Sequence, residues 1–267
     1  MDERIDRNKF IFFDIDGTLW DDTMQIPKST EQAIAQLKEN GHKTFLCSGR
    51  ARGNIRSKKL LNLGFDGVIA ACGNHVEMNG EILYEKILPA DVVRKSIQLL
   101  RECHMPVVLE GPDYHWIDEK GFEEDPYVLY LFQEMGKTAL PLRGYSEDIR
   151  INKFSADILA DTDYERIKRE TAGDFDLLEH EGNVVEFVPK GTSKATGIAW
   201  ICNHFGVPVS DTYGVGDSVN DLDMLSFVGH SIAMGNGTDE VKQRAEYVTA
   251  DIHEDGIYEA MRHYGLI

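Results

Sequence analysis

Apolar residues recur in two rhythms along this chain. Phe10-Ile11-Phe12-Phe13 is a continuous apolar run of strand length, and it stops abruptly at Asp14-Ile15-Asp16-Gly17-Thr18, a sequence suited to a loop. From Ser29 to Asn40 the apolar positions Ala33, Ile34 and Leu37 follow helical spacing, with Ser29 or Thr30 as the expected N-cap and Gly41 as the stop. Thr44-Phe45-Leu46-Cys47 predicts a second buried strand, ending at Ser48-Gly49-Arg50. A basic helix reaching Leu63 and a third strand, Val68-Ile69-Ala70-Ala71, are expected next. Fully apolar strands alternating with helices predict a parallel sheet with helical crossovers.

After Gly73 the pattern changes. Glu77 to Lys86 predicts a hairpin turning at Asn79-Gly80. The next hundred residues or so mix strands (106–109, 115–117, 152–158, 184–188) with helices (90–102, 163–171), an α+β pattern. Pro189-Lys190-Gly191 marks a boundary, after which the first rhythm returns. A helix at 193–205, a strand at 212–215, a helix at 220–226, a strand at 231–234 and a last strand at 247–249 are expected. The predicted fold class is therefore α/β: a Rossmann-like parallel sheet core made of residues 1–81 and 189–267, interrupted by an inserted α+β cap domain over 82–188.

The 267 residues are 42% hydrophobic and 28% charged, a composition that supports a real core. No apolar run approaches the roughly 18 residues needed to span a bilayer. The polar start, Met1 to Lys9, lacks the regions of a signal peptide. Cys47, Cys72, Cys103 and Cys202 are widely spaced and form no CxxC pair. They read as reduced, mostly buried thiols, so a cytoplasmic location is expected. A formal charge of −18 disfavours nucleic acid and anionic membrane as partners. It would also repel a phosphate ester, unless a metal ion and lysine reverse the field locally.

Ligands of open parallel sheets sit beyond the carboxyl ends of the strands. Four polar clusters are expected at such ends: Asp14 to Thr18, Ser48-Gly49-Arg50, Lys190 to Lys194, and Gly216-Asp217-Ser218-Val219-Asn220-Asp221. The first and last provide four carboxylates that the sheet could bring together. Such a set needs a cation, and oxygen-only donors beside a phosphate site point to Mg²⁺.

In order and placement these clusters resemble the four motifs of the haloacid dehalogenase superfamily of phosphatases. Asp14-Ile15-Asp16-Gly17-Thr18 matches the first, Ser48-Gly49-Arg50 the second, Lys194 the third, and Gly216-Asp217 to Asp221 the fourth. The insertion between the second and third motifs resembles the type-two cap of the Cof-like sugar-phosphate phosphatases. Lys190-Gly191-Thr192-Ser193-Lys194 matches their Lys-Gly-x-x-Lys, while Gly73-Asn74 stands where Asn-Gly is the commoner order.

The chemistry is consistent with that resemblance. A carboxylate at a strand tip can attack phosphorus, and Asp14 is the candidate nucleophile. Asp16 is the candidate general acid and base. The resemblance implies that Asp14 and the Asp16 carbonyl hold Mg²⁺, with Asp217 as a direct ligand and Asp221 as one acting directly or through water. Ser48, the Gly49 N–H and the start of the following helix are expected to bind phosphate oxygens, with Lys194 offsetting charge and Asn220 as a further contact. Thr18 reads as a loop stabiliser. His115, Glu110, Glu179 and Asn183 are polar positions of the cap that could meet substrate. The expected activity is hydrolysis of small phosphorylated metabolites, sugar phosphates in particular, through an aspartyl-phosphate. Transfer of the phosphoryl group to another alcohol, and a non-catalytic receiver-like module, are the alternatives; an intact Asp16 favours catalysis.

Overall fold

The computed structural model describes residues 8–118, 124, 126–146 and 148–267, so most of the polar stretch Met1–Lys9 lies outside them. The chain divides into two compact units. One takes the residues up to Gly49, Arg56–Leu83 and Ser193–Ile267; the other takes Arg50–Ile55 and Tyr84–Thr192.

The first unit begins with β1 (Phe10–Phe13), α1 (Lys28–Glu39), β2 (Lys43–Cys47), α2 (Lys58–Leu61), β3 (Gly67–Ala70), β4 (His75–Met78) and β5 (Glu81–Glu85). The chain then passes through α3 (Ala90–Glu102), β6 (Val107–Glu110), β7 (His115–Ile117), α4 (Pro126–Met135), β8 (Ala139–Pro141), β9 (Lys153–Asp157), α5 (Tyr164–Thr171), β10 (Phe175–Glu179) and β11 (Val184–Pro189). It returns with α6 (Lys194–Phe205), β12 (Thr212–Gly216), α7 (Leu222–Phe227), β13 (His230–Ala233), α8 (Asp239–Arg244), β14 (Tyr247–Val248) and α9 (Gly256–His263).

The strand order of the first sheet is β14-β13-β12-β1-β2-β3-β4-β5. The run from β14 to β3 is parallel, and the β4 strand is antiparallel to β3. The chain moves outward from β1 through β2 and β3, then restarts on the other side of β1 with β12. The order therefore reverses between β1 and β12, which is where open α/β sheets place their ligands. Ile11, Phe12, Phe13, Phe45, Leu46, Ile69, Val215 and Ile232 are buried, as strands covered on both faces require. The Phe12 and Phe45 rings stack at 5.1 Å.

The second unit holds a six-stranded sheet of order β10-β11-β9-β6-β7-β8, antiparallel except where β7 meets β8. Phe154, Phe187, Leu109 and Val107 on one face pack with Val93, Ile97 and Leu100 of α3 and with Ile167 of α5. On the other face Val108 and Ile117 pack with Val128 and Leu131 of α4.

Several local expectations are corrected. The basic helix to Leu63 is absent; a three-residue 3₁₀ turn, Arg52–Asn54, and the one-turn α2 stand there instead. Arg50, Arg52, Arg56, Lys58 and Lys59 place like charges at helical neighbour spacing, which opposes a continuous helix, and neither short element has a side-chain cap. Helix α1 begins at Lys28 after Pro27, with no capping side chain, so neither Ser29 nor Thr30 is the N-cap. Helices α4, α8 and α9 and strands β8 and β10 have no counterpart in the sequence reading. The β-hairpin at Asn79-Gly80 is present, with both residues at positive φ (52° and 81°), the conformation a two-residue turn demands. All four cysteines are buried and free. Among the described residues, no helix is long and apolar enough to cross a membrane.

Candidate active site

Asp14 is the first residue beyond β1, and its N–H donates to the Val215 carbonyl of β12 at 3.0 Å. That bond ties the tip of one strand to the other at the switch point. The Asp14 side chain is 3% exposed. Gly216 ends β12, and a Cβ there would lie 2.5 Å from the Asp221 carboxyl carbon, so the close turn back of Asp221 needs glycine. Asp221 is fully buried. Its Oδ2 accepts the backbone N–H of Asp217 at 2.9 Å and of Ser218 at 3.1 Å.

Lys194 enters from the start of α6. Ser193 caps this helix in a reciprocal capping box with Thr196, which defines where the first turn begins and where Lys194 points. The Lys194 Nζ donates to Asp14 Oδ1 at 2.5 Å and to Asp221 Oδ1 at 2.6 Å, with all three side chains buried. Thr18 Oγ1 donates to Asp217 Oδ1 at 3.0 Å, so this threonine joins the first cluster to the fourth rather than bracing its own loop alone.

Side-chain oxygens of Asp14, Asp217 and Asp221 all lie within 4.8 Å of one another. Three carboxylates and one ammonium carry a formal charge of −2, the charge a divalent cation would balance. Burial and the Asp221 carboxylate push Asp14 well above the usual carboxylate range, and the same two causes raise Asp217 to about 7. Burial alone would lower Lys194, but Asp14 and Asp221 on either side raise it well above an ordinary lysine. Among the described residues Asp14 Oδ2 and Asp217 Oδ2 accept no hydrogen bond, while three donors occupy Asp221. A hard cation held by oxygen donors fits this set, with Asp14 and Asp217 best placed to touch it.

Asp16 is not one of the close carboxylates. It is exposed, and its Oδ1 accepts the indole N–H of Trp20 at 2.9 Å. Ser48 is buried at the end of β2, its N–H donating to Ile69. Gly49 follows it, but no α-helix starts there, which removes the expected helix N-terminus from the phosphate-binding set. Asn220 is half-buried and its Oδ1 accepts from Ser218 Oγ at 2.7 Å. Asn74 is buried, its amide donating to Ala71.

Sequence reasoning missed two neighbours. Trp20 fastens Asp16, four residues away. Asp223 Oδ2 accepts the Ala195 N–H at 3.3 Å, supporting the turn that carries Lys194. The open N–H groups at the start of α6 were the available signal for an acceptor such as Asp223.

Within the second unit Glu110, His115 and Lys153 are paired across β6, β7 and β9 and are buried. Lys153 Nζ lies 2.6 Å from Glu186 and 3.7 Å from Glu110, and His115 Nε2 lies 3.6 Å from Glu110. Glu179 is exposed and accepts from the Tyr164 hydroxyl; Asn183 is also exposed.

A family model for haloacid dehalogenase-like hydrolases matches residues 11–261. YkrA of Bacillus subtilis is 32% identical over 271 residues, covering 97% of this chain and 99% of that one. The 5-amino-6-(5-phospho-D-ribitylamino)uracil phosphatase YitU of the same organism is 29% identical over 278 residues, 95% of this chain and 96% of that one. A crystal structure of a Geobacillus kaustophilus HTA426 protein superposes with a TM-score of 0.86 at 29% identity, over 97% of this chain and 100% of that one. The subclass IIB sugar phosphatase BT4131 superposes with a TM-score of 0.80 at 27% identity, with the same coverage.

Proposed function

The chain belongs to the haloacid dehalogenase-like hydrolases, and we propose that it is a phosphatase that moves the phosphoryl group of a small metabolite onto Asp14 and then to water. The observation that carries this reading is the buried Asp14–Lys194–Asp221 bridge at the β1/β12 switch point. It supplies a strand-tip carboxylate aligned by a cation, beside further carboxylates and in the place where the fold binds ligands.

In the first step an Asp14 carboxylate oxygen forms a bond to phosphorus, and the bond from phosphorus to the ester oxygen breaks. Asp16, as the acid, delivers a proton to the departing alcohol. In the second step Asp16, now a carboxylate, takes a proton from a water that attacks the aspartyl-phosphate. The phosphorus–Asp14 bond breaks, inorganic phosphate leaves, and both residues return to their starting forms. Lys194 holds Asp14 in one orientation and offsets negative charge as the anionic ester arrives. Ser48 and the Gly49 N–H bind phosphate oxygens, and Asn220 is a further contact. Asp14 and Asp217, with the Asp16 carbonyl and Asp221 in support, would hold Mg²⁺. When bound, that ion supplies the positive charge that the cluster otherwise lacks.

The substrates are small phosphate esters of sugars or related polyols. The sugar phosphatase BT4131 and the phosphoribitylamino-uracil phosphatase YitU act on esters of this class, which supports it here, and the net charge of −18 disfavours nucleic acid. Buried, free cysteines support a reducing, cytoplasmic setting. Phosphate release from p-nitrophenyl phosphate, with Mg²⁺ and with a chelator, tests the proposal. Turnover with Mg²⁺ alone is expected; no turnover of any phosphate ester under either condition would overturn it.

A further inference from the structure

The loop after β13 carries a side chain that none of the four clusters contains. The Asn236 amide nitrogen donates to the Gly17 carbonyl at 2.7 Å, and its amide oxygen accepts the Ile252 N–H at 3.0 Å. One side chain thus ties together the loop after β1, the loop after β13 and the segment that follows β14.

The Gly17 carbonyl is directly joined to the Asp14–Thr18 loop and its neighbour Asp16. Gly17 is at φ 74°, and a Cβ there would overlap the Asp217 carboxylate, so this loop is pressed against Asp217. The Gly17 N–H is committed to the Trp20 carbonyl at 3.0 Å. Asn236 therefore satisfies the other backbone polar group of a glycine wedged between Asp16 and Asp217.

The residues around Asn236 clamp the opposite side of the same contact. Thr238 N–H donates to the Asp217 carbonyl at 2.9 Å, and Met234 N–H to the Gly216 carbonyl at 2.9 Å. A Cβ on Gly237 would lie 2.8 Å from the Asp217 carbonyl oxygen, so this loop lies directly on the Asp217 backbone. Gly235 N–H donates to the Ala250 carbonyl at 2.9 Å, anchoring the loop to the sheet edge.

We infer that Asn236 is a positioning residue: it holds the Asp16–Gly17 arm at a set distance from Asp217. The role requires one donor and one acceptor on the same short side chain, which asparagine supplies and aspartate does not. An aspartate would keep the acceptor for Ile252 but turn a carboxylate oxygen toward the Gly17 carbonyl, in a region already crowded with acid groups. The inference rests on the phosphatase reading for its kinetic consequence but not for its structural one.

The experiment compares Asn236→Ala, Asn236→Asp and, as a control on an exposed helix face, Asn203→Ala. With p-nitrophenyl phosphate, both Asn236 variants are expected to lose about tenfold to a hundredfold in kcat, with KM changed less than about twofold, and Asn236→Asp to be the worse. The Mg²⁺ concentration for half-maximal thermal stabilisation should rise in both. Amide exchange gives a readout free of activity: Asn236→Ala should expose the Ile252 N–H and loosen residues 14–20, while Asn236→Asp should loosen 14–20 and keep Ile252 protected. If the wild type hydrolyses no ester, the phosphatase reading fails and the exchange pattern still decides this one. Unchanged exchange at 14–20 in both variants would overturn the inference. So would a kcat loss that disappears once activity is divided by the folded fraction.

Discussion

The Lys194 ammonium sits 2.5 Å from the Asp14 carboxylate although 180 residues separate them, and the whole inserted unit is threaded between. The same nitrogen lies 2.6 Å from Asp221, so one buried cation spans the loops of β1 and β12. Removing it leaves two buried carboxylates facing each other without compensation.

Lys194→Met is accordingly expected to abolish most turnover, with kcat for every ester down by at least about a hundredfold. Breaking a buried pair by deleting one partner costs about 3–5 kcal/mol, so the variant should also melt markedly lower. Steady-state kinetics and thermal unfolding check both. Wild-type turnover in Lys194→Met would remove Lys194 from the site.

Protons and divalent cations should compete at the carboxylate group. In protein without divalent ion Asp217 is raised to about 7, because burial and Asp221 disfavour its charge. Its folded form therefore binds a proton that the unfolded chain has released above about pH 4. The contribution of this group to stability is largest below that pH and falls as pH rises toward 7. A bound cation reverses the preference, so stabilisation by Mg²⁺ should be larger at pH 8 than at pH 6. Thermal melts at the two values, with and without Mg²⁺, measure it. An equal or larger Mg²⁺ effect at pH 6 would contradict the assignment.

The inserted unit has its own charge lock. Burial alone would raise Glu186, but the Lys153 ammonium 2.6 Å away, aided by His180, holds it down at about 2. A depressed carboxylate stabilises the fold above its unfolded value near 4.5, and that stability is lost as pH falls toward 2. Lys153→Met should therefore destabilise the protein by about 3–5 kcal/mol at neutral pH. The deficit relative to wild type should shrink between about pH 4.5 and 2. Denaturant unfolding across that range checks the prediction; a deficit that grows in acid would refute it.

Much of this site was legible because its chemistry is local in sequence. Phe10 to Phe13 stops dead at Asp14, and Gly216-Asp217 follows an equally apolar strand, so the strand tips declared themselves. Their meeting was also foreseeable, since parallel strands gather their carboxyl ends on one edge. What stayed hidden depended on partners distant in the chain or on backbone shape. Trp20 reads as a core residue until its indole is seen on Asp16. Asp223 looks like a helix-surface acid, and Asn236 like a turn residue, until Ala195 and Gly17 are in place. Helix α4 is apolar nearly all round, so it shows no helical period, and α9 opens on a glycine with no capping side chain. The expected helix after Gly49 failed for an electrostatic reason visible in its own run of arginines and lysines.

Selectivity among esters is predicted to rest with the inserted unit, which contains none of the carboxylates proposed for the chemistry. Binding energy from the part of a substrate that does not react can orient the part that does. Glu110→Gln and His115→Phe should therefore reorder a panel of sugar and polyol phosphates by kcat/KM, while changing p-nitrophenyl phosphate turnover less than about threefold. Substitutions at Asp16, Lys194 or Asp217 should depress all members together. A panel whose ranking survives the insert variants and is reordered by the core variants would reverse the division of labour.

The central claim is the covalent step at Asp14. It is tested most directly by acid-quenching the protein during turnover with Mg²⁺ and a phosphate ester, then mapping added phosphoryl mass by peptide. The expected result is one phosphoryl group on Asp14 in the wild type, and none in a folded, inactive Asp14→Asn variant. Phosphoryl mass on another residue, or sustained turnover by folded Asp14→Asn protein, would contradict it.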